Sequence, residues 1–241
     1  MKIVSLVPSF TETLFDLDLN RQLAGRTRFC CRPENRVGAI PVIGGTKNPD
    51  LRRIKELKPD MVLANKEENR KQDIDHLREF SAVHVSAITG ADDALREIAA
   101  IGRLLDRQEK AETIVDWVRG EMENIPPVKP ATAAYLIWRN PLMTAGGDTY
   151  IHDIMHRWGL QNIFASAGRY PVTSHEQIAD MKPDYIFLSS EPYPFKDKHI
   201  RHFKGLHPDS SVLPVNGQWF SWYGSRMIHA FRDLNKWRIT I

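Results

Sequence analysis

Ile54-Lys55-Glu56-Leu57-Lys58-Pro59-Asp60-Met61-Val62-Leu63 and Ile178-Ala179-Asp180-Met181-Lys182-Pro183-Asp184-Tyr185-Ile186-Phe187-Leu188 are near-repeats. In each, the end of a helical pattern runs into Lys-Pro-Asp and then into a short apolar run of strand length. Proline carries no backbone N–H and cannot continue a helix, so the chain stops there and restarts as a strand. Lys-Pro-Asp alone is an ordinary helix-to-strand turn. Its recurrence with the same flanks, on either side of a long helix and a proline cluster, makes the two halves versions of one α/β unit.

Working outward, Ile3 to Val7 reads as a short buried strand, and Ser9-Phe10-Thr11-Glu12 has capping-box spacing for a following helix. Asp50 is placed to cap a helix through Leu57, ahead of a strand at Met61 to Ala64. A helix from about Arg70 to Phe80 and a strand at Val83 to Val85 follow. Between Asp92 and Asn124 there is no proline, and apolar residues recur at helical spacing. Asp106-Arg107-Gln108 breaks that pattern, leaving a second helix from about Arg107 to Asn124. Pro126, Pro127 and Pro130 then mark a boundary. The remainder predicts strands at Ala134 to Trp138, Tyr185 to Leu188 and Val212 to Val215. Its helices are predicted at Tyr150 to Trp158, Ser174 to Met181 and Ser225 to Trp237. Such alternation implies mostly parallel sheets with helices on their faces.

The 241 residues are 42% hydrophobic and 26% charged, the balance of a chain that buries a core. Lys and Arg are interspersed with Asp and Glu for a formal net charge of +3, with no basic stripe to neutralise a phosphate backbone, which argues against nucleic acid. Cys30 and Cys31 are adjacent, a geometry unsuited to a disulfide. No stretch approaches the apolar length of a membrane-spanning helix. The opening apolar run stops at Pro8, too short for a signal-peptide core. The expectation is a cytoplasmic chain as written, or a periplasmic one if a leader was omitted.

In open α/β sheets, ligands sit beyond the carboxyl ends of the strands, so the residues following each strand are the candidates. These segments combine polar and aromatic groups: Arg28 to Pro33, Gly44 to Pro49 and Asn65 to Arg70 in the first half; Trp138 to Pro141, Gly146 to Asp148, Gly168 to Pro171 and Trp219 to Tyr223 in the second. The Trp219-Phe220-Ser221-Trp222-Tyr223 run is hard to bury completely, because consecutive side chains point in different directions. Rings facing solvent beside Arg139, Arg169 and Arg226 would suit a flat, partly anionic ligand; rings that only pack a helix against the sheet are the alternative. Gly44-Gly45-Thr46-Lys47 lacks the glycine spacing of a phosphate loop. His152 and His156, four apart on a predicted helix, read as a surface pair, and His199 and His202 as part of a solvated lysine-rich segment. Cys30, with Arg28 and Arg32 nearby to favour a thiolate, is the candidate soft ligand or nucleophile, against the commoner fate of a small buried group. No serine elbow, paired carboxylates or dinucleotide glycine motif is present, so no catalytic residue is assigned.

IVSLVPSFTETLFDL, IPVIGGTKNPDLRRIKELKPDMVLAN, WRNPLMTAGGDTYIHDIMHRWGLQNIF, YPVTSHEQIADMKPDYIFL and WFSWYGSR together resemble the substrate-binding proteins of cobalamin and iron-chelate transporters, almost end to end. RTRFCCRP, IGGTKN and ANKEENRK look like the branch called helical-backbone metal receptors. The resemblance implies an α/β fold of two Rossmann-like lobes bridged by a single long α-helix, with the ligand cleft between the lobes. On this sequence the implied parts are residues 1–106, the bridge 107–125, and 126–241. It implies a non-enzymatic, monomeric receptor for a metal chelate or corrinoid (cobalamin-like, haem or ferric siderophore), with no intrinsic cofactor and no metal held by its own side chains. The implied partner is an ABC-transporter permease, which Glu176 would meet; Arg52 stands at the matching position of the first half. The ligand-lining set is Arg28, Phe29, Cys30, Thr46, Lys47, Asn48, Lys66, Glu67, Arg139, Tyr170, Trp219, Phe220, Trp222 and Tyr223. Thr46 stands where such receptors often have an aromatic residue. The rival expectation is an intracellular corrinoid- or metal-handling enzyme using Cys30.

Overall fold

The computed structural model describes residues 1–241. The chain divides into two compact units. Met1–Ile88, Asp92–Arg119 and Tyr223–Ile228 form the first; Thr89–Ala91, Gly120–Trp222 and His229–Ile241 form the second. Each unit thus includes a short segment from the far half of the sequence.

In the first half of the chain the elements are β1 (Ile3–Ser5), α1 (Pro8–Asp16), β2 (Leu23–Arg26), α2 (Leu51–Leu57), β3 (Met61–Asn65), α3 (Lys71–Arg78), β4 (Ala82–Ser86), α4 (Ala91–Leu104) and α5 (Gln108–Glu123). The strands form one parallel sheet in the order β2-β1-β3-β4. Strand residues Val4, Val62 and Ala64 pack with Leu6, Ile43, Ile54, Ile74 and Leu77 into a core. Fully burying a side chain of Leu or Ile size stabilises by about 1.5–3 kcal/mol. The break expected near Asp106 is present: Asp106 takes a left-handed conformation, φ 54°, and Arg107 N–H donates to the Gly102 carbonyl at 2.7 Å. A Cβ on Gly102 would lie 2.3 Å from that of Ala111, so glycine is what lets α5 pack against α4.

The second half comprises β5 (Ala131–Trp138), β6 (Met143–Thr144), α6 (Tyr150–Arg157), β7 (Leu160–Asn162), α7 (His175–Met181), β8 (Tyr185–Ser189), α8 (Asp197–Leu206), β9 (Ser211–Val215), α9 (Gly217–Ser221) and α10 (Met227–Arg238). β7 and β8 flank β5 in parallel, β9 adds beside β8, and the short β6 pairs antiparallel with the upper part of β5. The order β7-β5-β8-β9 is that of β2-β1-β3-β4. Ala134, Leu136, Ile178, Ile186, Leu188, Phe203 and Val212 form its core.

The near-repeat occupies equivalent places. Lys58 and Lys182 are left-handed caps of α2 and α7, with φ 48° and 45°. The Asp60 carboxylate accepts Lys2 N–H at 2.6 Å at the entrance to β1, and Asp184 accepts Thr132 N–H at 2.7 Å at the second residue of β5. Ser81 and Ser210, entering β4 and β9, each donate to the carbonyl of the repeat proline. The capping box expected at Ser9 and Glu12 is not formed. Val7 is the N-cap and Pro8 the first helical residue, so both lie inside α1. The sequence pattern does not predict β2, β6, β7, α8 or α9.

Candidate functional site

Both sheets reverse their order of strand addition at one point, beside β1 and β3 in the first unit and beside β5 and β8 in the second. The connections diverge there, and it is outside the carboxyl ends at such a point that open α/β sheets take their ligands.

In the first unit, the loops from β2 and β3 bring most of the expected residues together. Arg28 N–H donates to the Gly44 carbonyl at 2.9 Å, and its guanidinium lies 5.9 Å from the ring centre of Phe29. A Cβ on Gly45 would come within 3.3 Å of that ring, so the glycine gives the two loops room to meet. Asn69 holds the loop from below: its side-chain amide donates to the Thr46 carbonyl at 2.9 Å. The Lys47 ammonium donates to the Glu67 carbonyl. Asn65 fixes the Glu67 turn by accepting its N–H at 2.7 Å. Phe29 stays 54% exposed, a large ring held in the open at a strand end, and Lys47, Asn48 and Lys66 are exposed beside it.

Cys30 departs from the group. It has no exposed surface, and its sulfur takes contacts from Thr11 Oγ1 at 3.0 Å and Thr27 Oγ1 at 3.2 Å. Burial pushes the thiol up from its ordinary value, and the hydroxyl contacts only offset this in part. A thiolate is thus disfavoured there, the opposite of what Arg28 and Arg32 in sequence suggested. Cys31 is exposed, and no disulfide forms.

The second unit builds its strand ends around an acid. β8 ends at Ser189, whose hydroxyl accepts from buried Tyr135 at 3.1 Å and donates to the Glu191 carbonyl at 2.6 Å. Tyr170, half-buried, is close enough to act electrostatically on Tyr135, whose hydroxyl burial pushes well above the ordinary range. Glu191 Oε1 accepts from Ser221 Oγ at 2.9 Å and from the Trp222 indole N–H at 2.6 Å. Trp138, the last residue of β5, is 39% exposed and meets Tyr193 edge-on at 5.6 Å. Arg139 follows it, near enough to His175 and His199 to disfavour their protonation.

The aromatic run divides. Trp219 is half-buried, 5.9 Å from Trp237. Phe220 is fully enclosed by Tyr135, Phe187 and Trp237 and has no surface to offer a ligand. Trp222 is nearly closed, its polar edge given to Glu191, and Tyr223 packs on Phe10 in the first unit. The run turns through the short α9 and buries three of its four rings, leaving only Trp219 partly open. Arg226 is likewise spent: its guanidinium grips the buried Glu12 carboxylate through two nitrogens.

Glu191 lies outside every candidate segment, and Trp138 lies within one but not in the ligand-lining set. Glu191 had a signal, an acid placed directly after an apolar strand in Leu188-Ser189-Ser190-Glu191-Pro192. No group of three or more His, Cys, Asp or Glu is placed to hold a metal ion. A cavity of 420 Å³ does occur, lined by Val128, Ala131, Asp184, Tyr185 and Arg238 among others. It lies at the amino ends of β5 and β8, the wrong end of the sheet for a ligand. Its arginine is occupied by the carbonyls of Trp158, Lys129 and Ile241. No helix is long and apolar enough to cross a membrane.

Two α/β units of one strand order, each with polar and ring-bearing groups gathered where the order reverses, define the class of a ligand-binding α/β protein. The sequence pattern of the periplasmic binding protein family matches residues 3–206, and the chain belongs to that family. It is 26% identical over 242 residues to a vitamin B12-binding protein of Pectobacterium carotovorum, covering 97% of this chain and 86% of that one. It is 27% identical over 247 residues to the vitamin B12-binding protein of Pectobacterium atrosepticum, with the same coverage. Among solved structures, the periplasmic vitamin B12 binding protein BtuF of Vibrio cholerae superposes with a TM-score of 0.83 at 19% identity, over 99% of this chain and 96% of that one. The periplasmic haem-binding protein RhuT of Roseiflexus sp. RS-1 superposes with a TM-score of 0.84 at 18% identity, over 99% and 98%. The two-lobe fold of these binding proteins is therefore the fold of this chain.

Proposed function

We propose that this chain is a non-enzymatic receptor for a corrinoid or haem-like metal chelate, held by groups at the carboxyl ends of its two sheets and passed to an ABC-transporter permease. The observation that carries this is its relation, over 97% of its length, to proteins described as vitamin B12-binding. The site chemistry agrees. Phe29, Trp138, Tyr170 and Trp219 offer ring faces of the kind a flat macrocycle stacks on. Lys47, Lys66 and Arg139 are cations suited to the phosphate or carboxylates such ligands carry. Glu176, exposed at the start of α7, is the residue assigned to permease docking. A Cys30-dependent reaction lacks support, because the thiol is sealed and its ionised form disfavoured.

Titrating the protein with cyanocobalamin and with haemin, while following tryptophan fluorescence, tests this. Saturable quenching is expected with at least one of them. Trp219→Ala combined with Tyr170→Ala should weaken binding by roughly 100-fold, whereas Cys30→Ser should stay within a few-fold of wild type. Unchanged affinity in the double variant would remove this site from consideration; loss of binding in Cys30→Ser would favour the thiol.

A further inference from the structure

Glu191 is an acid built in with only half its bonding capacity used. Ser221 and Trp222 both donate to Oε1, which fixes the plane of the carboxyl group. Oε2 has no partner within the chain, and no cation pairs with the group. Room for its stem is made by Gly217, where a Cβ would lie 2.4 Å from Glu191 Cγ. The residue stands two positions past the end of β8, at the reversal point of the second sheet, where ligands of such sheets bind. Burial without a compensating cation pushes its carboxyl above the ordinary range. An acid kept in such surroundings costs the fold stability, and perturbed carboxyls of this kind gather at functional sites.

We propose that Glu191 Oε2 is a ligand contact that accepts an N–H from a carboxamide on the rim of the bound molecule. This rests on the receptor reading above and narrows it. A corrinoid rim carries carboxamides and a porphyrin rim carries carboxylates, so the second unit favours the corrinoid. Against a porphyrin, Oε2 would face a like-charged group; against a carboxamide it gains a hydrogen bond in a sheltered place.

The test compares wild type with Glu191→Gln at mildly alkaline pH, using cyanocobalamin and haemin as probes. Glutamine keeps the Oε1 acceptor for Ser221 and Trp222 but replaces Oε2 with a donor. Wild type should bind cyanocobalamin more tightly than haemin, and Glu191→Gln should lose about tenfold or more of its cyanocobalamin affinity with an unchanged circular dichroism spectrum. A ligand series checks the same contact on the unaltered protein. Among cyanocobalamin derivatives with one carboxamide hydrolysed to a carboxylate, at least one should bind about tenfold more weakly. If Glu191→Gln binds cyanocobalamin as wild type does, or every monocarboxylate binds like the parent, Glu191 only pins the corner at Trp222 and the proposal is overturned. If wild type binds neither probe, the receptor reading falls and takes this assignment with it.

Discussion

The two units repeat a frame and diverge at its working ends. Both use the same strand order, the same left-handed lysine cap, and an aspartate that ties the turn to the first strand. Both also secure a segment from the far half of the sequence with a carboxylate on the helix after their first parallel strand. In the first unit, Glu12 of α1 holds Arg226; in the second, Asp153 of α6 accepts Ala91 N–H at 2.7 Å. At the carboxyl ends the likeness stops. The first unit holds an exposed ring and exposed cations there, while the second sets a largely buried acid, bonded to the Trp222 indole, beside the exposed ring of Trp138. Backbone hydrogen bonds need only a few residue types and so tolerate little change, whereas strand-end side chains are free to suit a ligand.

The largest break in the comparison should come from the two tether carboxylates. Glu12 is buried, and both oxygens engage the Arg226 guanidinium, so Glu12→Ala leaves a cation without its partner in a desolvated place. Removing one member of such a pair costs about 3–5 kcal/mol. Asp153 is about a quarter exposed; it accepts Ala91 N–H and pairs with Arg157 Nε at 2.8 Å. Asp153→Ala should cost about 1.5–3 kcal/mol, the range for hydrogen bonds to a charged group. Urea unfolding of both variants checks the order; a smaller loss for Glu12→Ala would show that Arg226 finds another partner.

Acid and base responses should separate the units next. In the second, His175 Nδ1 and His207 Nε2 lie 3.0 Å apart, and both rings are pushed below their ordinary value, first by burial and then by neighbouring histidines. Around His175, His202 and Arg139 add to the depression and Glu176 opposes it. The unfolded chain then binds more protons than the folded one, so their contribution is present above the ordinary pKa of 6.5 and is lost as pH falls through it towards the lower folded values. In the first unit, His84 bonds Glu97 at 2.5 Å, which raises its pKa. Its contribution is complete below 6.5 and is lost as pH rises through the raised folded value. His207→Gln should therefore flatten the acid side of the stability profile between about pH 5 and 8, and His84→Gln the alkaline side. Melting temperatures across that range measure both; identical profiles for the two variants would contradict the assignment.

What could be read without coordinates follows from how local each signal is. The Lys-Pro-Asp repeat, the apolar strands β3 and β8 and the break at Asp106 are each encoded by neighbouring residues, and all were legible. β2 was not, because Leu23-Ala24-Gly25-Arg26 has no β-branched residue and a glycine inside it. α8 reads as solvated chain, since Ile200, Phe203 and Leu206 are its only large apolar residues among charged and polar ones. The rule about strand ends picks out the loops after β2 and β3, which the Arg28–Gly44 and Lys47–Glu67 bonds bring into contact; their contact with a ligand is the proposal above. The enclosure of Phe220 and Cys30 was not legible, because an apolar side chain at a strand end serves core and ligand equally well and only packing decides. Glu12 looked like a capping residue, and its partner lies 214 positions away.

The smallest effect probes the repeat itself. Asp184 Oδ2 accepts from both Thr132 N–H and Thr132 Oγ1 at 2.7 Å, and these bonds hold its carboxyl below the ordinary range. Asp60 Oδ2 accepts Lys2 N–H at 2.6 Å and has only the distant chain amine, at 4.0 Å, as a further partner. Both turns are exposed, so water replaces much of what is lost. Asp60→Ala should cost about 0.5 kcal/mol and Asp184→Ala about 1 kcal/mol, the span of net hydrogen-bond contributions. The loss in Asp184→Ala should also vanish at acid pH, because the wild-type carboxylate is itself protonated once pH falls through its lowered folded value. Equal costs would mean that the turn in both units is held by the proline and the left-handed lysine, with the aspartate contributing only the first N–H bond to the strand beside it.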